Sequence, residues 1–129
     1  MITASKNCLK AKRTVPYAYD DGWTENEEMY NEINRHFQVW TVQAVATEIA
    51  FLVGGGTAAT YTALATGIVA NSICTESHNS YFKIYYYWQP SDDPQLPFYI
   101  MQITEAYSDI ERTDFIGSKI RYYYSTTTF

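Results

Sequence analysis

An uncharged stretch in the middle of the sequence constrains the fold more than any other feature. From Ile49 to Ala70 the chain runs for 22 residues without a charge, about the length of a bilayer-spanning helix. Three consecutive glycines interrupt this stretch, and frequent Thr and Gly lower its hydropathy, so a stable span is not expected. Two interpretations stay open: a helical hairpin that is buried in a soluble fold, or a hairpin that is buried in solution and refolds into a bilayer.

Hydrophobic spacing predicts one helix on each side of the glycines. Before them, apolar residues recur at three- and four-residue steps, and Thr24 with Glu27 forms a capping-box pattern, so the first helix is predicted from Thr24 to Val53. After them, Thr57 is a plausible N-cap, and the helical hairpin is assigned to residues 24–71. The hairpin residues expected to pack in the core or contact a membrane are Phe51, Leu52, Gly54, Gly55, Gly56, Tyr61, Leu64 and Ile68.

The hydrophobic period changes from 3.6 to 2 after residue 80. Alternation from Tyr81 to Gln89 predicts a strand, and two further strands are predicted from Phe98 to Tyr107 and from Ser118 to Thr127. The loops between them are short, so residues 81–127 are expected to form an antiparallel meander. Helices followed by strands predict an α+β fold, in which a helical hairpin packs on a small antiparallel β-meander.

Chain length and the cysteines complete the predicted organisation. The 129 residues fit a single domain, 1–129, that begins with an N-terminal arm over residues 1–23. Cys8 and Cys74 are an even pair without C-x-x-C spacing, so one disulfide between them is predicted, with two free buried thiols as the alternative. Because disulfides persist in oxidising compartments, we expect a secreted, extracellular protein. No basic segment followed by an apolar one opens the sequence, so either export is absent or a signal peptide has been removed.

The chain carries no motif that indicates catalysis. His36 and His78 are its only histidines, and although Glu32 and His36 have the spacing of a two-ligand metal site, an exposed acid–base pair is the commoner meaning of that spacing. Adjacent acidic residues fall in predicted turns, where they are ordinary. The net charge is −5 without a basic stripe, so nucleic acid is not an expected partner. We therefore expect that the protein is not an enzyme, has no catalytic residues and binds neither a cofactor nor a metal ion.

Tyrosine supplies the predicted binding surface. The chain has 13 tyrosines, and their amphipathic rings suit partly wet surfaces. Tyr81, Tyr85 and Tyr87 alternate along one predicted strand, and with Tyr123 on another they are expected to form an aromatic face that binds sugars, peptides or other subunits. The alternative is that these rings cover the sheet beneath the helices.

These features together predict a small, secreted, non-enzymatic protein of the antimicrobial or killer-toxin kind. It is expected to act at a target cell surface or membrane, with cell-wall carbohydrate as a candidate partner. A structural or adhesive subunit is the alternative function, in which the tyrosine-rich sheet and the small-residue hairpin mediate self-association. Under this alternative the protein would form a homo-oligomer.

Overall fold

The computed structural model describes residues 22–54 and 56–128. The described chain forms two short strands, then two helices, then three long strands. In chain order these elements are β1 (Thr24–Glu25), β2 (Asn31–His36), α1 (Val42–Leu52), α2 (Thr62–Thr75), β3 (Asn79–Pro90), β4 (Phe98–Tyr107) and β5 (Phe115–Ser125). Single 3-10 turns lie at Glu27–Met29 and Ala58–Tyr61. The described chain is thus α+β, with two helices and a five-stranded antiparallel sheet. This confirms the predicted α+β class.

The three long strands form the predicted meander. β3 pairs with β4 and β4 pairs with β5, both antiparallel, and Phe82, Ala106 and Gly117 lie side by side across them. β1 and β2 both pair antiparallel with the other edge of β3, one after the other along its length. Within the described part of the chain, β3 and β4 are therefore central strands, and β5 lies at an edge.

The predicted start of the first helix at Thr24 is wrong. Thr24 lies in β1, and residues 31–36 form β2 along β3, so the helical part of the predicted 24–71 hairpin begins only at Val42. The apolar spacing wrongly predicted a helix here because residues four apart lie on one face both in a helix and in a strand. Ile33 and Phe37 therefore fit either structure. Pairing with the long edge of β3 outweighed the local capping signal of Thr24.

Local signals do fix the ends of the two helices. The Thr41 hydroxyl accepts a hydrogen bond from the amide of Ala44, 3.2 Å away, and so caps the start of α1. Gly54 and Gly56 follow α1 with φ of +74° and +78°, a left-handed backbone that other residues rarely adopt. The glycines therefore end the first helix, as predicted, and Thr57 caps the 3-10 turn that leads into α2.

The main core lies between the helices and one face of the sheet. α1 and α2 pack against each other, and α2 also packs against β5. The fully buried apolar residues of this core come from both helices and from β3 and β4, and they include Val45, Ala46, Ile49, Leu64, Ala65, Ile68, Phe82, Ile84 and Ala106. A second, smaller cluster of Tyr87, Met101 and Ile103 lies on the opposite face of the sheet.

Arg112 ties the β4–β5 connection to the edge of the sheet. Its side chain is only 7% exposed. Its guanidinium donates to the carbonyl oxygens of Phe82 and Ile33, each at 3.1 Å, and to the Asn34 side chain at 2.6 Å. One cation thus bridges β3 and β2, and we expect it to stabilise this edge because hydrogen bonds to a charged group are among the stronger ones.

Only one cysteine of the predicted disulfide lies within the described residues. Cys8 lies outside them, as does nearly all of the predicted 1–23 arm, so the bond between Cys8 and Cys74 stays a prediction. Cys74 is half-buried in the last turn of α2, and it is not a free thiol. The end of α2 is therefore the place where a bond to the arm would act.

Candidate functional site

The structure divides the predicted hairpin residues between the core and the solvent. Tyr61, Leu64 and Ile68 are at most 3% exposed and belong to the main core. Leu52 is half-buried beside that core, and Gly55 lies outside the described residues. Phe51 behaves differently, since its side chain is 84% exposed at the end of α1. The hairpin is thus neither wholly core nor wholly surface.

The exposed side of α2 is uncharged. Exposed residues recur at three- and four-residue steps along α2, and none of them carries a charge. Together with Phe51 they define the uncharged hairpin surface, which consists of Phe51, Thr62, Ala63, Thr66, Ala70 and Ile73. Phe51 and Ile73, 84% and 69% exposed, are the large apolar side chains of this surface. Solvent-facing sides of helices in globular proteins normally carry charged and polar residues, whereas this surface combines threonines with alanine, isoleucine and phenylalanine.

Neither helix of the described chain has the length and apolar character that a bilayer crossing requires.

The histidines and acids do not form a site with recognisable chemistry. The rings of His36 and His78 lie 6.3 Å apart, and the Nδ1 atom of His36 is 3.0 Å from the Asn79 side-chain oxygen. Glu32 accepts a hydrogen bond from the Tyr30 hydroxyl at 3.0 Å and lies near Arg112. Among the described residues, no group of three His, Cys, Asp or Glu side chains is arranged to hold a metal ion.

The four tyrosines predicted to form one binding face are divided by the sheet. Tyr81, Tyr85 and Tyr87 do share a face of β3, but Tyr87 is only 1% exposed and packs against Met101. Tyr123 pairs with Ile100 and lies on the opposite, helix-facing side. The predicted face is therefore wrong, because the pairing register, which sequence alone does not give, sets which strands share a face.

Tyr123 instead belongs to a half-buried polar cluster beside the main core. The Arg121 guanidinium lies 4.3 Å from the centre of the Tyr123 ring and donates to the Gln102 oxygen at 2.6 Å. Burial, and after it the charge interaction with Tyr86, raises the pKa of Tyr123 to about 12. The hydroxyl of Tyr61 is buried in the same region, and its pKa is raised by burial and partly restored by Arg121. These phenols stay protonated near neutral pH, so the cluster acts as a polar part of the interior.

A different set of rings forms the exposed aromatic surface. Trp23, Tyr99, Tyr122 and Tyr124 define the aromatic platform. Tyr99 contacts the other three rings, with centre-to-centre distances of 5.5 Å to Trp23, 5.8 Å to Tyr122 and 4.7 Å to Tyr124. Tyr122 and Tyr124 are 52% and 55% exposed. Part of this surface could be predicted from the sequence, since alternation along a strand places Tyr122 and Tyr124 on one side of β5.

A groove runs beside the platform, into the β3–β4 loop. It has a volume of about 380 Å³ and is lined by Pro90, Ser91, Asp92, Asp93, Tyr99 and Tyr124. The loop is held by hydrogen bonds of its own, since the Ser91 amide donates to the Pro97 carbonyl at 2.8 Å and the Ser91 hydroxyl accepts from the Asp93 amide at 3.1 Å. The two carboxylates are exposed, and they are the charged groups of this groove.

The described chain thus presents two unusual surfaces, the uncharged hairpin surface on the helices and the aromatic platform on the sheet. No protein-family model, no curated protein and no solved structure matches this chain.

Proposed function

We propose that this chain is a small secreted, non-enzymatic protein of the antimicrobial or killer-toxin kind, which acts at the surface or membrane of a target cell. The observation that carries the proposal is the uncharged hairpin surface with Phe51, 84% exposed, at its corner. Transfer of an exposed apolar side chain from water into another apolar phase is favourable, and no charge on the exposed residues of α2 opposes it. A lipid bilayer is the apolar phase that a target cell presents.

The geometry of α1 and the turn that follows it makes Phe51 available for such contact. Phe51 lies one residue before the end of α1, and the chain then turns through Gly54 and Gly56. The corner is therefore the part of the hairpin where an apolar side chain can enter the interface without moving the buried core. Transfer of a phenylalanine side chain out of water is favourable by roughly 1.5–3 kcal/mol when it becomes fully buried.

Charge sets which membrane the protein should prefer. The net charge is −5, and the uncharged hairpin surface offers no Lys or Arg to anionic lipid headgroups. Basic residues near a membrane surface contribute about 1 kcal/mol each through attraction to anionic lipid. Because that attraction is missing from the uncharged hairpin surface, we expect this surface to bind through apolar contact alone. Zwitterionic membranes should then be bound at least as well as anionic ones.

Vesicle leakage with a charged variant of the hairpin tests the proposal. Ala70 is exposed in the middle of the outer side of α2, so Ala70→Lys should leave the free energy of unfolding within about 0.5 kcal/mol of the original. Dye release from zwitterionic vesicles should nevertheless fall steeply, since an added charge at the contact surface opposes entry into lipid. Release and urea unfolding are measured on the same preparations.

Gln43→Lys is the matched control. Gln43 is exposed on α1 and does not belong to the uncharged hairpin surface. The variant adds the same charge to the hairpin, but in the groove that Arg35 and Glu48 also line. It should release dye like the original protein. Equal release by all three proteins, or no release by the original, would remove the support for membrane action.

A second candidate function is supported by the edge of the sheet. Among the described strands β5 pairs with β4 alone, so it lies at an edge of the sheet. Edge strands can pair with a strand of another chain. This observation favours a structural or adhesive subunit that self-associates strand to strand. Sedimentation velocity over a range of protein concentrations, with electron microscopy, separates the two functions, since ordered polymer without dye release would favour the subunit.

A further inference from the structure

We propose that the aromatic platform and the groove beside it bind a neutral, hydroxyl-rich glycan. The inference deepens the proposed function and rests on it, because it names the molecule that would hold the protein at the target surface. The platform lies on the sheet face opposite the helices, whereas the uncharged hairpin surface belongs to the helices. Attachment to glycan and contact with lipid therefore use separate parts of the molecule.

The exposed rings of the platform offer an apolar surface to a sugar ring. Tyr99 and Tyr122 are stacked on each other, at an interplanar angle of 20°, and Tyr122 and Tyr124 are each about half exposed. One face of a pyranose ring consists of C–H groups, which pack on an aromatic face, while its hydroxyl groups lie at the rim. Tyr matches both parts, because its ring is apolar and its hydroxyl can form hydrogen bonds.

The groove supplies polar groups at the edge of the rings. Asp92 and Asp93 are exposed, and Tyr99 and Tyr124 line the same groove. A carboxylate accepts strong hydrogen bonds from sugar hydroxyls. Binding sites of this kind combine an apolar wall with a few polar groups that fix orientation. Hydrogen bonds within the β3–β4 loop fix Asp93 before any ligand arrives, since its amide donates to the Ser91 hydroxyl and its carboxylate accepts from the Gln95 amide.

The charge of the groove indicates which class of ligand the aromatic platform can bind. The charged residues that line the groove are both acidic, so nucleic acids, acidic glycans and anionic lipid headgroups would be repelled. A neutral polysaccharide meets no such repulsion and offers many hydroxyl donors to the carboxylates. The half-exposed tyrosines, which combine flat apolar faces with polar tips, suit this amphipathic ligand better than a purely apolar one.

Retention on insoluble polysaccharides tests the inference. The whole chain is mixed with chitin, cellulose and insoluble β-1,3-glucan, and the unbound fraction is measured, with polygalacturonate as the acidic counter-probe. We expect retention on at least one neutral polysaccharide and none on polygalacturonate. The double variant Tyr122→Ala/Tyr124→Ala should weaken the retention by about 2- to 12-fold for each ring, which corresponds to ~0.5–1.5 kcal/mol per aromatic contact.

Two further variants separate the platform from a general loss of structure. Asp92→Asn keeps the shape of the groove and removes one charge, so it should weaken retention less than the double variant. Val39→Ala removes an apolar side chain that is 56% exposed, away from the platform, and it should bind like the original. Unchanged melting temperatures would show that all variants are folded.

The outcomes distinguish this inference from the proposed function. Retention that the double variant loses supports the glycan site, whether or not the protein releases dye from vesicles that contain no glycan. Retention that the double variant keeps, or no retention on any neutral polysaccharide, overturns the site. In that case dye release from the same vesicles would still report on membrane action by the hairpin. Retention on polygalacturonate alone would overturn the charge argument and the site together.

Discussion

Replacing Phe51 by alanine should weaken membrane binding without destabilising the fold. The side chain is 84% exposed, so nearly all of its apolar surface is available for transfer into lipid. Truncation beyond Cβ should cost about 1–2 kcal/mol of transfer free energy, which lowers the vesicle partition coefficient about 5- to 30-fold. The free energy of unfolding should change by less than about 0.5 kcal/mol, because little of the ring is buried and alanine has the higher helix propensity.

Co-sedimentation with dense zwitterionic vesicles measures this partition coefficient. The matched control is Ile110→Ala, which removes an apolar side chain that is 55% exposed in the connection between β4 and β5. That control should change the partition coefficient less than twofold, because Ile110 lies outside the hairpin. If Phe51→Ala binds vesicles as well as the original protein, or if both variants lose binding equally, the hairpin corner is not the membrane contact.

Three further predictions concern the structure that holds these surfaces. Arg112→Ala should lower the free energy of unfolding in urea by about 2–4 kcal/mol, since it removes several hydrogen bonds from a nearly buried cation; a change below 0.5 kcal/mol would show that the bridge is not needed. Burial alone would raise the pKa of Asp109, but hydrogen bonds from the Thr113 hydroxyl and nearby amides outweigh it and lower that pKa. The ionised Asp109 side chain should therefore stabilise the fold above its unfolded pKa of about 3.8, and this stabilisation should be lost as the pH falls through the lower pKa of the folded state. When the melting temperature is measured against pH, Asp109→Asn should make its fall at acidic pH less steep. Mass measurement after alkylation without reduction should find Cys8 and Cys74 unmodified, and two alkylated thiols would disprove the disulfide and the inference of secretion that depends on it.

The sequence predicted the second half of the chain well because strand signals there are strong and local. Alternation over β3 and β5 gave the correct strands, and short loops gave the correct antiparallel order. Three glycines likewise predicted the end of α1. The capping pattern at Thr24 failed because the competing interaction, the edge of β3, lies about 60 residues away in sequence. A pattern confined to a few residues carries no information on such pairing.

The candidate site was only partly predictable for a related reason. The uncharged stretch pointed to the hairpin, but its spacing did not show that Phe51 faces solvent while Tyr61 is buried. The aromatic platform joins Trp23 to rings on β4 and β5, so it exists only when the strands are in register. Tyrosine content predicted that such a surface exists, and the register decided which tyrosines form it.

Hydrogen–deuterium exchange with and without zwitterionic vesicles reports whether the hairpin contacts lipid. We expect slower amide exchange on vesicle addition in peptides from residues 49–75, which carry the uncharged hairpin surface, and unchanged exchange in residues 79–125 of the sheet. Protection confined to the β5 edge would indicate strand pairing between copies. Exchange that vesicles leave unchanged throughout the chain would contradict membrane contact by the hairpin.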